Sequence, residues 1–395
     1  MAHHQPAYAL SLNRRGLQAK KIARGAIVAA WLCFAGAASA QQPALIHAFA
    51  ARLAADVESD AVGGITAAVV IGDRVVWAEG FGWADVDRRA PARVDTIYRV
   101  ASVTKTVTAA ALMHLAQINV VRLDDPVEKH LPEAHDFVAA TTHEPPVLLG
   151  QLASHTSGLA REPWPPAARR GPLAQWEARV IDAIPGTAFP LARGAFYSYS
   201  NVGYAVLGLA LSRAAREPFM QMVERRLFAP LGMVDSGFEA RPEHAGRLAR
   251  GYENYAALDT ARPLREHAQR GYRIPSGGMY STVGDLARLI ALLTGAAGDA
   301  QLDAASRAQM LAFHAPLTGR RGYGLGLRLR TAADGRVLAG HDGNVPGYTA
   351  QIAFDPRSRV GVILLRNYNV GRTNLQEAAF GLVAALAKSA GAKAE

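Results

Sequence analysis

Ser102-Val103-Thr104-Lys105-Thr106-Val107-Thr108-Ala109-Ala110-Ala111-Leu112-Met113 opens an apolar run that predicts a helix over 102–118, with Val107, Ala110, Ala111, Met113 and Leu115 supplying its buried surface. Serine and lysine are three residues apart, so both fall on one helix face. The lysine is an exception, because only six of the 43 basic residues are lysines. Lys20 and Lys21 lie near the N-terminus, Lys388 and Lys393 in the C-terminal tail, and Lys129 follows a turn at Pro126. Arginine keeps its proton at any accessible pH, whereas burial and nearby charge make lysine a proton acceptor. A serine in the first turn of such a helix has its oxygen near the positive end of the dipole, and its own N–H is free for a developing oxyanion. The same residues also read as a serine N-cap followed by a snorkelling lysine, and this motif alone does not decide between the two.

Toward the N-terminus, 44–57 is apolar at helical spacing (Leu45, Phe49, Leu53) and predicts an opening helix. Two β-runs, 65–71 and 74 onward, are joined by Gly72-Asp73, a tight hairpin signal. Beyond the central helix, from about 120 to 270, short helical patterns are broken by Pro126, Pro132, Pro145-Pro146, the Pro/Arg-rich stretch 161–172 and Pro230-Leu231-Gly232. Strand signal returns over 323–330, 337–340, 350–354 and 360–365, with Asp355-Pro356-Arg357-Ser358 turning between the last two. Thr373-Asn374-Leu375-Gln376 resembles a capping box for a closing helix carrying Ala379, Leu382 and Leu386.

This order predicts an α/β fold: one antiparallel sheet built from both ends of the chain, flanked by helices, with a mostly helical domain inserted. The expected parts are 41–119 and 275–395 for the α/β domain and 120–274 for the helical domain. A site belongs in the cleft between them.

The first forty residues contain no Asp or Glu and carry Arg14, Arg15, Lys20, Lys21 and Arg24 before an apolar run over 26–37 and Ala38-Ser39-Ala40. This predicts a signal peptide (1–40) and a periplasmic or secreted protein, the apolar run being shorter than the roughly 20 residues of a membrane span. Asn13-Arg14-Arg15-Gly16-Leu17 is a partial twin-arginine match and leaves the export route open. Cleavage removes five positive charges from the formal +10 together with Cys33, the one cysteine. The mature chain then has no disulfide, no thiolate metal site and no basic block, so nucleic-acid binding is not indicated. No histidine pair has metal-ligand spacing, and neither a metal nor a cofactor is assigned.

Two further motifs bear chemistry. In Tyr199-Ser200-Asn201 a phenol and a carboxamide two apart project to one side of an extended or turn segment, suited to proton exchange and to holding an amide; a polar helix start is the plainer alternative. His341-Asp342-Gly343 is expected between a strand ending at Gly340 and a loop over 344–348. Its glycine allows close backbone approach, and its histidine can bond a carbonyl, a phenol or a leaving group.

Ser-x-x-Lys, Tyr-x-Asn and His-x-Gly in this order resemble the penicillin-recognising serine hydrolases: class C β-lactamases, D-Ala-D-Ala carboxypeptidases and related esterases and D-aminopeptidases. Gly80-Phe81-Gly82-Trp83-Ala84-Asp85, Leu152-Ala153-Ser154-His155-Thr156-Ser157-Gly158-Leu159, Pro230-Leu231-Gly232-Met233, Ser276-Gly277-Gly278-Met279-Tyr280-Ser281 and Tyr323-Gly324-Leu325-Gly326 carry the resemblance across the mature chain. His155 and Ser157 are read as shaping a helix-ending loop, and Gly277-Gly278 as letting the chain pass close to the site.

The resemblance implies a β-lactamase/transpeptidase-like fold and a serine hydrolase. Ser102 would be the nucleophile, Lys105 and Tyr199 would move its proton with the identity of the base left open, and Asn201 would hold substrate. His341 would orient Tyr199 or meet the leaving side, and the N–H groups of Ser102 and Asn344, beside Gly343, would form the oxyanion hole. Asp342 replaces the usual Thr or Ser. Facing the site ionised, it would repel a substrate carboxylate by on the order of 4 kcal/mol at ~4 Å; turned away by strand alternation, it would not. The reading is an exported, carboxylesterase-like serine hydrolase of small ester, amide or peptide substrates, with a D-Ala-D-Ala carboxypeptidase or class C-like β-lactamase as the alternative.

Overall fold

The computed structural model describes residues 41–137, 145–164, 166–194, 196–254, 262–263 and 270–391. The expected signal peptide lies outside them. Nine strands form the main sheet: β1 (Gly64–Ile71), β2 (Arg74–Asp85), β3 (Ala90–Pro91), β4 (Ala315–Pro316), β5 (Arg321–Tyr323), β6 (Arg328–Thr331), β7 (Val337–Val345), β8 (Tyr348–Asp355) and β9 (Val360–Arg366). Their order is β3-β2-β1-β9-β8-β7-β6-β5-β4 and every neighbouring pair is antiparallel. The two chain ends meet at β1 and β9, where Ile65 pairs with Arg366 and Ile71 with Val360. The sheet is therefore built from both ends of the chain, as the pattern predicts.

Alternation along the two central strands supplies both faces with apolar side chains. Ile65, Ala67, Val69, Val362 and Leu364 pack with Phe49, Leu53 and Val57 of α1 (Gln41–Asp60) and with Ala379, Val383 and Leu386 of the closing helix Leu375–Gly391. Ala68, Val70, Ile363 and Leu365 point the other way, into the larger core shared with α2 (Thr104–Gln117), Asn201–Ala215 and Val283–Leu293. Full burial of each large aliphatic chain contributes about 1.5–3 kcal/mol, which makes a sheet covered on both sides stable without cross-links.

Four local expectations change. The predicted strand 323–330 is two strands, because Gly326 (φ +68°) turns the chain where an added Cβ would stand 2.8 Å from the Lys105 carbonyl oxygen. His341-Asp342-Gly343-Asn344 lies within β7, since strand pairing continues to Val345 opposite Tyr348. The closing helix is capped one residue later than expected: Asn374 Oδ1 accepts from the Glu377 N–H at 3.2 Å, and Thr373 Oγ1 donates instead to Asp56. Ser102 sits in a 3₁₀ turn, Ala101–Val103, that precedes α2.

Candidate active site

Ala101 has φ +48°, a left-handed conformation that costs a non-glycine residue about 1 kcal/mol or more, and it swings the chain so that half-buried Ser102 stands at the tip of the turn. The turn is held from three sides. The Val100 N–H bonds to the Met279 carbonyl (3.1 Å), and Thr104 Oγ1 donates to the Ala101 carbonyl (2.6 Å) while accepting from the Met279 N–H (3.2 Å). Gly343 of β7 abuts the third side, where an added Cβ would stand 2.2 Å from the Val100 oxygen and 3.1 Å from Ala101 Cβ. That approach carries Asn344, the next residue, alongside the serine turn. The threonines of α2 are thus anchors: Thr106 and Thr108 bond the Gly326 and Pro275 carbonyls, both at 2.7 Å.

Lys105 is fully buried. Its Nζ lies 2.6 Å from the Ser276 carbonyl oxygen, 2.8 Å from Asn201 Oδ1 and 3.2 Å from Ser102 Oγ. Burial, reinforced by Arg161 and Arg328 and opposed by Glu162 and Asp342, pushes the amine well below its usual value. The Nζ–H groups donate to the carbonyl, to the amide oxygen and, over the longest distance, to the Ser102 hydroxyl, and loss of one proton would leave the lone pair to that hydroxyl.

Tyr199 joins from a different element. Ser200 Oγ accepts from the Gly203 N–H (2.9 Å) and caps the helix Asn201–Ala215, so the polar helix start and the juxtaposition of Tyr199 and Asn201 are the same feature. The Tyr199 hydroxyl shares a hydrogen bond with Ser102, and its ring centre is 4.9 Å from Lys105 Nζ. Burial raises the phenol above its usual value despite the Ser102 bond and Arg328, which leaves it protonated. His155, in left-handed conformation at the end of the helix Leu149–Ser154, stacks its ring 4.2 Å from Tyr199 and accepts the Ser200 N–H at Nδ1 (3.1 Å). Burial, with Lys105 and His341 nearby, keeps this imidazole neutral. It shapes the loop, as expected, and also braces the phenol.

Asn201 has both ends engaged. Its Oδ1 accepts from Lys105, while its Nδ2 donates to Glu162 Oε1 at 2.6 Å. Burial opposes charge on Glu162, but Tyr272, Arg273 and Asn201 hold its carboxyl below the usual range. One amide hydrogen is therefore committed to Glu162 and Oδ1 helps to fix Lys105, while the second amide hydrogen suits the substrate contact expected of Asn201.

His341 is buried and does not meet the Tyr199 hydroxyl by any hydrogen bond among the described residues. Its Nε2 lies 2.9 Å from the Tyr323 hydroxyl and its Nδ1 2.6 Å from the Asp342 carbonyl oxygen. Burial lowers it to about 3, with Arg328 and Lys105 adding to the shift and Asp342 opposing it. Asp342 is half-exposed, ionised and salt-bridged to Arg328 Nε. The repulsion expected from Asp342 assumed an unpaired charge, and Arg328 neutralises it. Asn344 is exposed and its Oδ1 accepts from Asn369 Nδ2 at 3.1 Å, so its side chain is tied to the next loop while the preceding Gly343 abuts the serine turn at Val100 and Ala101.

Sequence reasoning missed Arg161, Glu162, Tyr197, Tyr204 and Arg328. Arg161 Cζ is 4.9 Å and Arg328 Cζ 6.0 Å from the Tyr199 ring centre, and Tyr204 flanks Lys105 at 5.5 Å. Arg161 and Glu162 follow the segment 152–159 after one residue, Ala160, and were readable only as a proline-rich loop. Among the described residues no group of three His, Cys, Asp or Glu side chains has metal-binding geometry, and no helix is long and apolar enough to cross a membrane.

The profile of the family described as Beta-lactamase matches residues 49–386. The D-alanyl-D-alanine-carboxypeptidase/endopeptidase AmpH of Escherichia coli K12 is 30% identical over 227 residues, 57% of this chain and 56% of AmpH. The chain therefore spans little more than half the length of that relative. Among solved structures, the octameric penicillin-binding protein homologue from Pyrococcus abyssi superposes with a TM-score of 0.71 at 24% identity, covering 88% of this chain and 77% of the homologue. EstCE1, a hydrolase with promiscuous acyltransferase activity, gives 0.71 at 21% identity over 89% of this chain and 99% of its own. The chain belongs to the Beta-lactamase family, a fold family of hydrolases.

Proposed function

We propose that this member of the Beta-lactamase family is a serine hydrolase that cleaves esters or amides through an acyl-enzyme on Ser102, with carboxylesters its foremost substrates. The observation that carries the reading is the environment of Lys105: two pure acceptors and one hydroxyl around a buried amine of depressed basicity. Ser102 Oγ gives its proton to Lys105 Nζ and bonds to the substrate carbonyl carbon. The N–H groups of Ser102 and Asn344 receive the oxyanion. As the bond to the leaving group breaks, the Tyr199 hydroxyl protonates the departing oxygen or nitrogen and regains a proton from Lys105. Water then attacks the acyl carbon by the reverse relay and frees Ser102. Lysine is the base in this scheme because burial lowers its hold on a proton, whereas burial raises the phenol and suits it to donate.

Exposed Trp164 and Phe196, two residues from Glu162 and three from Tyr199, suit the apolar acyl chain of an ester. One observation favours peptide substrates as a second reading. With Asp342 neutralised by Arg328, a C-terminal carboxylate is not turned away, which fits the carboxypeptidase named among the relatives. Purified protein lacking residues 1–40, given 4-nitrophenyl butyrate, nitrocefin and a D-Ala-D-Ala peptide, tests both. Turnover of the ester, abolished in Ser102→Ala, supports the first reading; rapid nitrocefin hydrolysis with no esterase activity overturns it. The export signal predicts a mature N-terminus at Gln41 in the periplasm or medium, checked by N-terminal sequencing of fractionated cells.

A further inference from the structure

The Tyr199 ring is bordered by two guanidinium groups whose charges are not equivalent. Arg328, 6.0 Å from the ring centre, is committed to Asp342. Arg161, 4.9 Å from it, is exposed, and among the described residues no carboxylate pairs with it. The other charges close by cancel or are absent: Glu162 is paired with Arg273, while burial favours the neutral forms of Lys105, His155 and His341. The backbone at Arg161 is anchored. Its carbonyl accepts the Asn201 N–H at 2.8 Å, the preceding Ala160 carbonyl accepts Ser200 Oγ at 2.7 Å, and the Ala160 N–H bonds to the Ala188 carbonyl at 2.9 Å. The backbone carrying this guanidinium is thus stitched to Ser200 and Asn201 of the Tyr199-Ser200-Asn201 bend and to Ala188. An uncompensated guanidinium 4.9 Å from the Tyr199 ring centre, on an anchored backbone, is a receptor for a planar anion, which it can bind through two parallel N–H groups.

We propose that Arg161 selects substrates bearing a carboxylate close to the scissile ester or amide bond. The inference rests on the serine hydrolase reading and adds the substrate class to it. A carboxylate on the acyl limb and one on the leaving limb present the same chemistry to Arg161, and matched substrates separate them. For the acyl limb the pair is the 4-nitrophenyl hemiester of adipate and its methyl ester. For the leaving limb it is 4-carboxyphenyl butyrate and the corresponding carboxamide.

The quantity read is the ratio of kcat/KM for the charged over the neutral member of each pair. Arg161→Gln lowers that ratio about 10- to 100-fold in one pair, as expected for a lost hydrogen-bonded charge contact, and the affected pair identifies the limb. Any change in the basicity of Lys105 caused by losing Arg161 acts on both members and cancels. Arg161→Lys retains part of the preference, because it keeps the charge and loses the planar fork. A ratio changed less than about twofold in both pairs overturns the proposal. Ser102→Ala tells this failure from that of the underlying reading: undiminished hydrolysis of all four substrates there sinks the acyl-enzyme scheme, whatever Arg161 does.

Discussion

Glu162 and Lys105 hold opposite ends of one amide: Asn201 donates through Nδ2 to Glu162 at 2.6 Å and accepts through Oδ1 from Lys105 at 2.8 Å. Glu162 thereby decides which end of Asn201 faces the lysine. A carboxylate accepts only, so the amide nitrogen must turn toward it and the oxygen toward the amine. Truncation in Glu162→Ala removes that bias and also a negative charge that raises the basicity of Lys105. The prediction is a fall in kcat of about tenfold and an acid limb of the pH–rate profile displaced to lower pH. An unmoved acid limb would reduce Glu162 to a packing role.

Lys105→Arg should be nearly as damaging as Lys105→Ala, with kcat down on the order of 10²–10⁴ in both. Arginine keeps the charge but does not accept the serine proton, and its longer planar head does not fit among Ser102, Asn201 and Ser276. Near-wild-type turnover of the arginine variant would remove proton transfer from the role of Lys105.

Acid stability should depend on His341. Burial holds it at about 3 in the folded protein, whereas an unfolded histidine titrates near 6.5. Between those values the unfolded chain binds more protons than the folded one, so stability falls as pH drops from about 6.5 toward 3. Urea unfolding at pH 7 and pH 4 should show this loss shrinking by on the order of 1–3 kcal/mol in His341→Gln. Equal losses in the variant and the parent protein would contradict the assignment.

Gly343→Ala should separate β7 from the serine turn, because its Cβ would stand 2.2 Å from the Val100 oxygen. Overpacking of this kind destabilises by about 1–3 kcal/mol, and a displacement near 1 Å lowers kcat/KM by about 10². Gly381→Ala, with open space at its Cβ, is the control. Thermal unfolding and ester turnover of the two variants, equal within error, would show that close approach at Gly343 is dispensable.

Much of this was legible because it is local. Ser102 and Lys105 share a face by spacing alone, Gly72-Asp73 closes β1 onto β2, and continuous apolar runs predict the central strands. What escaped depends on which segments become neighbours. Arg161 and Glu162 reach the site because the Arg161 carbonyl takes the Asn201 N–H from forty residues away. Arg328 neutralises Asp342 because it pairs across the sheet with Gly340, two residues along β7, a register no local pattern encodes. The break at Gly326 likewise follows from contact with the Lys105 carbonyl and not from its own strand pattern.

The most direct test of the acyl-enzyme is intact mass spectrometry of the protein after reaction with a fluorophosphonate, followed by peptide mapping. The account predicts one adduct, located on Ser102, absent in Ser102→Ala, and formed faster as pH rises and Lys105 loses its proton. Hydrolytic activity that survives in Ser102→Ala, with labelling at another residue or none, would contradict it.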